Sequence, residues 1–149
     1  MRRLSLLFAV LFVLALLGSD SQKEYDDKTE SVGLEGTWRL TEFEFDGQKS
    51  KTAPGNQEIK TIRDEAVTSR YPDGAGWQGS YRINSTGKPP RLDWIGEGDR
   101  FQAHPVKCIF QCDGDTLRIA FMLHAGDRMQ RPQDFNDEGV FVQTYKRVK

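Results

Sequence analysis

Turn-forming residues recur about every ten residues from Gly33 to the end of the chain, and this spacing most constrains the fold. The runs between the turns are short, and they alternate apolar and polar side chains as half-buried strands do. The Asp113-Gly114-Asp115 turn between two such runs is a hairpin signal. No window of about eleven residues has apolar side chains at helical spacing. The sequence therefore predicts an all-β domain, either a sandwich or a barrel.

The first predicted strand changes phase along its length. Trp38 and Leu40 share one parity, whereas Phe43 and Phe45 share the other. Half of these side chains would face water in a regular strand, so we predict a bulge at residues 41–42. A bulge bends a strand sharply, which favours a closed barrel over an open sheet. We predict a small antiparallel up-and-down β-barrel of about eight strands. Its strands are predicted at residues 37–45, 58–63, 66–71, 77–83, 91–95, 101–112, 116–121 and 140–148.

The beginning of the chain has the pattern of an export signal. In residues 1–18, two arginines precede a short apolar run that ends in small residues, which is typical of a secretory signal peptide. The run is shorter than the about 20 residues that a membrane-spanning helix needs. Residues 19–32 have almost no apolar side chain to bury, so we predict a flexible polar leader. The predicted barrel domain is residues 33–149, and the expected location is secreted or periplasmic.

The charge balance excludes some partners. The chain has 21 basic and 22 acidic residues, and removal of the two arginines of the signal moves the net charge from −1 to −3. This charge gives no basic surface for nucleic acid or anionic lipid. Ser19 also stands where a lipoprotein would carry its lipidated cysteine. We expect no nucleic-acid partner, no membrane association after signal cleavage, and a monomer.

Several short motifs occur in a fixed order along the predicted domain. They are Leu34-Glu35-Gly36-Thr37-Trp38, Asp46-Gly47, Gly79-Ser80-Tyr81-Arg82-Ile83, Lys88-Pro89-Pro90, Asp113-Gly114-Asp115-Thr116-Leu117, Arg131-Pro132-x-Asp134-Phe135 and Tyr145-Lys146-Arg147. The ordered set resembles a family of exported, lipocalin-like proteins abundant in planctomycete bacteria, over nearly all of residues 33–149. The resemblance implies a lipocalin-like barrel and an extracytoplasmic location, and it implies no activity.

The resemblance also suggests how one end of the barrel is closed. The Gly36-x-Trp38 pair is similar to the lipocalin signature, in which the tryptophan closes one end and an arginine of the last strand covers it. Arg147 is the residue that this resemblance assigns to the role. Cys112 departs from the pattern, since family members commonly carry an apolar residue there.

The cysteines and histidines do not form a predicted metal site. His104, Cys108 and Cys112 share one face of the predicted strand, and four residues of a strand span about 13 Å. Zinc ligands each lie about 2 Å from the ion, so neighbours this far apart do not share one metal. The same distance forbids a disulfide within the strand. We expect half-buried thiols that act as small hydrophobes, with no metal and no cofactor.

No catalytic motif is present. The sequence lacks a Gly-x-Ser-x-Gly elbow, a His-Glu-x-x-His pair and a phosphate loop. Two acidic groups in or beside predicted loops have the composition of a carboxylate pair for glycoside hydrolysis, but solvated turn residues are the expected interpretation. These acidic groups are Asp93, Glu97 and Asp99, and Asp134, Asp137 and Glu138. We expect a protein that is not an enzyme.

Three residues are the candidate ligand contacts. Trp77 and Trp94 are either core side chains or aromatic platforms for a ligand. Arg131 belongs to a loop in which it is expected to pair with Asp134 while Phe135 docks on the core. Such a loop is either a lid over the barrel mouth or a cover for an open end.

We therefore expect an exported binding protein that holds a small apolar molecule in or at the mouth of the barrel. An eight-stranded barrel is either filled by side chains or just wide enough for one small ligand. The first alternative is a protein-interaction module of the cell envelope with a packed barrel. The second is an enzyme, which convergent polar groups with perturbed pKa values would indicate.

Overall fold

The computed structural model describes residues 33–97, 104–123 and 130–149. The expected signal peptide (1–18) and polar leader (19–32) lie outside the described residues and stay predictions. None of the described residues belongs to a helix long and apolar enough to span a membrane. The strands are β1 (Gly36–Phe45), β2 (Gln48–Lys51), β3 (Ile59–Arg63), β4 (Ala66–Arg70), β5 (Gly76–Asn84), β6 (Arg91–Gly96), β7 (Val106–Asp113), β8 (Thr116–Met122) and β9 (Val140–Arg147).

Eight of the nine strands form a closed antiparallel barrel. From β3 to β9 each strand pairs with the next, and β1 pairs with β3 on one side and β9 on the other, which closes the barrel. The prediction of an all-β, antiparallel barrel of about eight strands is confirmed. β2 is an extra strand that pairs with the second half of β1. The sequence does not predict β2, because its four residues are polar and all are exposed.

β1 contains the bulge that the phase change predicts. Leu40 pairs with Tyr145 of β9 and Glu42 pairs with the adjacent Thr144, so Thr41 is the extra residue. The shift returns the second half of β1 to the interior, where Phe43 stacks on a ring of β9 at a centroid distance of 5.8 Å. The predicted position of the bulge is therefore confirmed.

The apolar side chains form two clusters, one on each face of the wall made by β7, β8 and β9. The larger cluster lies in the barrel interior and includes Trp38, Phe110 and Ile119. The smaller cluster comprises residues of opposite parity on the outer face, Ile109, Ala120, Val140 and Val142, and Phe135 packs against it. The part of the β8–β9 connection that contains Phe135 thus covers the outside of the barrel. The two positions expected from the sequence were a lid over the barrel mouth and a cover for an open end. The position of Phe135 on the outer face matches neither.

Candidate functional site

One end of the barrel is closed by Trp38 and Arg147. Trp38 is fully buried, and its indole N–H donates to the carbonyl oxygen of Leu34 at 2.8 Å. The guanidinium of Arg147 lies over the indole, 4.1 Å from the ring centroid. It also donates to the carbonyl oxygens of Glu35 and Gly33 at 2.6 and 2.7 Å. The arginine therefore holds the segment before β1 against the tryptophan that it covers.

Gly36 makes this packing possible. Its backbone has a φ of 141°, and a Cβ at this position would overlap Nη1 of Arg147. A side chain here would be strained and would displace the guanidinium from Trp38. Gly36, Trp38 and Arg147 therefore lie in the arrangement that the lipocalin-like signature implies.

The other end of the barrel contains a cavity. Its volume is about 600 Å³, within the range of small-molecule sites. β3 runs from the cavity toward the closed end, because Glu58 just before β3 lines the cavity while Ile62 pairs with Gly36. The lining residues are Glu58, Lys60, Tyr71, Gly76, Trp77, Gln78, Trp94, Gly96, Glu97, His104, Val106, Phe121 and Gln143.

Aromatic side chains of β5 and β6 form one wall of the cavity. Trp77 meets Trp94 edge to face at a centroid distance of 5.9 Å, and Tyr81 supports Trp94 from behind at 6.1 Å. Trp94 is buried and Trp77 is partly buried. The two sequence-predicted tryptophans therefore line the same cavity and pack against the core at the same time.

Four buried polar side chains beside this aromatic wall form a hydrogen-bonded cluster. We call it the Glu58–Lys60 cluster. The Lys60 ammonium donates to Glu58 Oε1 and to Ser69 Oγ, each at 2.7 Å. The Ser69 hydroxyl donates to Glu58 Oε1, and the Tyr145 hydroxyl donates to Glu58 Oε2 at 2.9 Å. These side chains come from β3, β4, β9 and the residue before β3, so barrel closure brings them together. An ion pair this deeply buried persists because hydrogen bonds satisfy its remaining lone pairs.

The cluster shifts the acid–base properties of its members. Burial opposes the charge on Glu58, but the Lys60 ammonium and the hydrogen bonds from Lys60, Ser69 and Tyr145 outweigh it and lower the pKa of Glu58. Burial lowers the pKa of Lys60, and the carboxylate of Glu58 opposes this shift only in part. Burial and the neighbouring Glu58 charge raise the pKa of Tyr145 well above its usual value. The pKa of Glu58 thus lies below its ordinary value of 4.5, so the carboxylate is ionised at neutral pH, and Lys60 is hydrogen-bonded to it.

The Glu58–Lys60 cluster is not apparent from the sequence, because the run 58–63 does not show which face of its strand points inward. Glu58, Lys60 and Ile62 share the inward parity, but Ile59 is apolar on the outward parity. The single available signal is that the inward set starts with two opposite charges and ends in a core isoleucine. A strand with one apolar residue on each face does not say which face is inside.

The third predicted ligand contact, Arg131, lies elsewhere. It is absent from the cavity lining, and its guanidinium donates to the carbonyl oxygens of Leu92 and Cys108 and to Asp93 Oδ1 at 2.7 Å. The predicted ion pair with Asp134 is therefore wrong: the described carboxylate partner is Asp93. Asp93 is also not a solvated turn residue, since it is only 4 % exposed. Arg131 therefore ties the loop to the outer face of β6 and β7 through two backbone carbonyl oxygens and one carboxylate.

The thiols and His104 do not converge on a site. His104 precedes β7 and does not lie within it, so the predicted common strand face for all three residues is wrong. Cys108 is fully buried, and burial raises the pKa of its thiol; Cys112 is partly exposed. Within residues 33–97, 104–123 and 130–149, no three His, Cys, Asp or Glu side chains come close enough to hold a metal ion.

The buried carboxylate of Glu58 is expected to make the stability of the folded protein depend on pH in acid. A variant with a neutral cluster should lack this dependence. The pKa of Glu58 is lower in the folded chain than its ordinary 4.5, so the unfolded chain binds more protons in acid. Its stabilising contribution is complete above pH 4.5 and is lost as the pH falls through the folded-state pKa. We expect the free energy of unfolding of the wild type to fall more steeply below this pH than that of Glu58→Gln/Lys60→Met. Urea titrations between neutral pH and about pH 3 test this; parallel pH profiles would contradict it.

Comparisons with protein-family models, with curated proteins and with solved structures found no match to this chain. The fold itself defines the class: a closed, antiparallel, eight-stranded β-barrel with one extra strand. The resemblance to the exported planctomycete family stays a prediction from the sequence motifs.

Proposed function

We propose that this protein is an exported, non-enzymatic binding protein that holds one small, flat, apolar molecule in the cavity beside Trp77 and Trp94. The observation that carries the proposal is a cavity of about 600 Å³ walled by two indoles at one end of a barrel whose other end is closed. A cavity of this size accommodates one small ligand, and aromatic walls favour flat apolar groups through burial and edge or face contacts. The expected signal peptide supports an extracytoplasmic location.

The alternatives expected from the sequence have less support. In the described part of the chain, Tyr71 is the single large hydrophobic side chain that is exposed, at 40 %. A docking surface for a protein partner would require a contiguous apolar patch rather than one ring. The enzyme alternative has one observation in its favour, since Glu58 and Lys60 line the cavity and their pKa values are shifted. The Ser69 hydroxyl of the same cluster, however, is 1 % exposed and does not line the cavity.

The proposal predicts that Trp77→Leu weakens binding and leaves the fold largely intact. Trp77 is partly buried at the cavity wall, so its removal deletes aromatic contact with the ligand without opening the closed end of the barrel. We expect 2-propylnaphthalene to bind the wild type, and roughly tenfold weaker binding to the variant, equivalent to about 1.4 kcal/mol. Equilibrium dialysis with the protein lacking its predicted signal peptide (residues 19–149) measures both affinities, and circular dichroism checks the fold.

Phe135→Leu is the matched control. It also replaces an aromatic residue by leucine, but Phe135 packs on the outer face of the barrel beneath Arg118. This variant should bind 2-propylnaphthalene as the wild type does. Equal losses in the two variants would show that the probe does not occupy the cavity.

A further inference from the structure

We infer that the ligand is an uncharged, flat molecule bearing a carbonyl or similar hydrogen-bond acceptor, and that Lys60 donates to this acceptor. The inference rests on the proposed function, because it assigns the polar part of the molecule held beside the tryptophans. Its physical basis is the hydrogen bonding of the Lys60 ammonium and the charge of the groups that line the cavity.

Lys60 has a donor available for a ligand. An ammonium group has three N–H donors, and those of Lys60 reach two described acceptors, Glu58 Oε1 and Ser69 Oγ. Around the ammonium lie the rings of Trp77, Trp94 and Tyr145, with centroids at 5.1, 5.4 and 5.3 Å. An aromatic face is a weak acceptor compared with an oxygen lone pair. An oxygen atom of a ligand placed in the cavity would therefore be the strongest third partner for Lys60.

The position of Lys60 makes this donor selective. Its side chain is 4 % exposed yet lines the cavity, so bulk water competes little for the third N–H. Glu58 and Ser69 fix the ammonium in place before any ligand enters. A donor that is already oriented loses little conformational freedom on binding, so a charge-assisted hydrogen bond contributes strongly to affinity.

The charges around the cavity favour a neutral acceptor over an acid. Glu58 already neutralises Lys60, and Glu97 adds a second carboxylate to the lining, where Gln78 donates to it at 2.5 Å. An anionic ligand would bring a third negative charge next to a single described lysine. Burial of an anion without its own counterion is costly, whereas a carbonyl brings no net charge.

Three probes built on one naphthalene ring system test the inference: 2-propionylnaphthalene, 2-propylnaphthalene and 2-naphthoate. We expect the ketone to bind wild-type protein roughly tenfold tighter than the acceptor-free hydrocarbon, as a charge-assisted hydrogen bond implies, and the carboxylate to bind more weakly than the ketone. Equal affinity for ketone and hydrocarbon would overturn the inference while the proposed function stands. Tighter binding of naphthoate than of the ketone would overturn the preference for a neutral ligand. If none of the three probes binds, the proposed function itself fails.

The variant Glu58→Gln/Lys60→Met assigns the effect to Lys60. It removes the ammonium donor and leaves no unpaired charge, so we expect the ketone and the hydrocarbon to bind it with equal affinity. A ketone preference that persists in this variant would overturn the assignment to Lys60. A second measurement does not depend on the variant: infrared spectra of 2-propionylnaphthalene labelled with ¹³C at the carbonyl. Its carbonyl band should lie at lower frequency when bound to the wild type than in hexane, which offers no hydrogen bond, and an equal or higher frequency would overturn the inference.

Discussion

Replacement of Lys60 by methionine is expected to destabilise the protein by about 3–5 kcal/mol, because it leaves the Glu58 carboxylate buried without its counterion. Glu58 is 1 % exposed, and Lys60 is its one described cationic partner, at 2.7 Å. In the variant the carboxyl group must either stay charged in an apolar interior or take up a proton, and each costs free energy. Urea unfolding at neutral pH, followed by far-UV circular dichroism, measures the loss.

The double variant Glu58→Gln/Lys60→Met is the control for this prediction. It removes both charges together and keeps an amide that accepts a hydrogen bond from Tyr145, so most of the lost stability should return. A buried ion pair replaced by neutral groups of similar volume is often as stable as the original, or more stable by about 1–4 kcal/mol. If Lys60→Met and the double variant lose the same stability, packing of the lysine stem rather than the unpaired carboxylate is the cause. A fully stable Lys60→Met variant would show that the pair is not buried in solution.

Trp38→Ala is expected to cost about 3–5 kcal/mol, because it leaves a large void at the closed end of the barrel. Trp38 is fully buried, its N–H is bonded to Leu34, and its face is covered by Arg147. Such a loss is a large part of the stability of a small domain, so the variant should unfold at much lower urea concentration than the wild type. Binding of 2-propylnaphthalene by the fraction that remains folded should change little, since the cavity lies toward the opposite end.

Arg147→Ala tests whether the two residues act as a unit. This change removes a cation–π contact worth about 0.5–2 kcal/mol and the bonds to the carbonyl oxygens of Gly33 and Glu35. Residues in contact are not additive, so the double-mutant cycle with Trp38→Ala should give a coupling of about 0.5–3 kcal/mol. Strict additivity would mean that the arginine stabilises the segment before β1 independently of the tryptophan.

The proposed site joins two chemically different surfaces. Trp77 and Trp94 supply apolar area, while the Glu58–Lys60 cluster supplies one oriented donor and no net charge. Apolar contact makes a site bind many flat molecules, whereas a buried donor rejects those that leave it unpaired. The combination is what a selective binding protein requires of a small barrel.

Local sequence patterns determined the wall of the barrel. The spacing of the turns fixed the strands, the phase change between Leu40 and Phe43 located the bulge, and the Asp113-Gly114-Asp115 turn located a hairpin. These features depend on residues within a few positions of one another, since side-chain parity and turn conformation are local properties. β2 was not predicted, because its polar residues do not alternate with apolar ones. Only its backbone pairing with β1 defines it as a strand.

Only the tertiary structure decided which polar and charged side chains meet one another. Glu58 and Tyr145 are 87 residues apart, and Arg131 and Asp93 are 38 apart, so only the tertiary structure brings either pair into contact. In the sequence, Glu58, Asp93 and Arg131 look like solvent-exposed residues of a strand edge or a loop. A buried charge is tolerated only where partners satisfy it, and the partners that other strands supply depend on register and shear around the whole barrel. The sequence therefore did not show that Arg131 lies on the outer face of the barrel. Nor did it show that Lys60 faces the cavity.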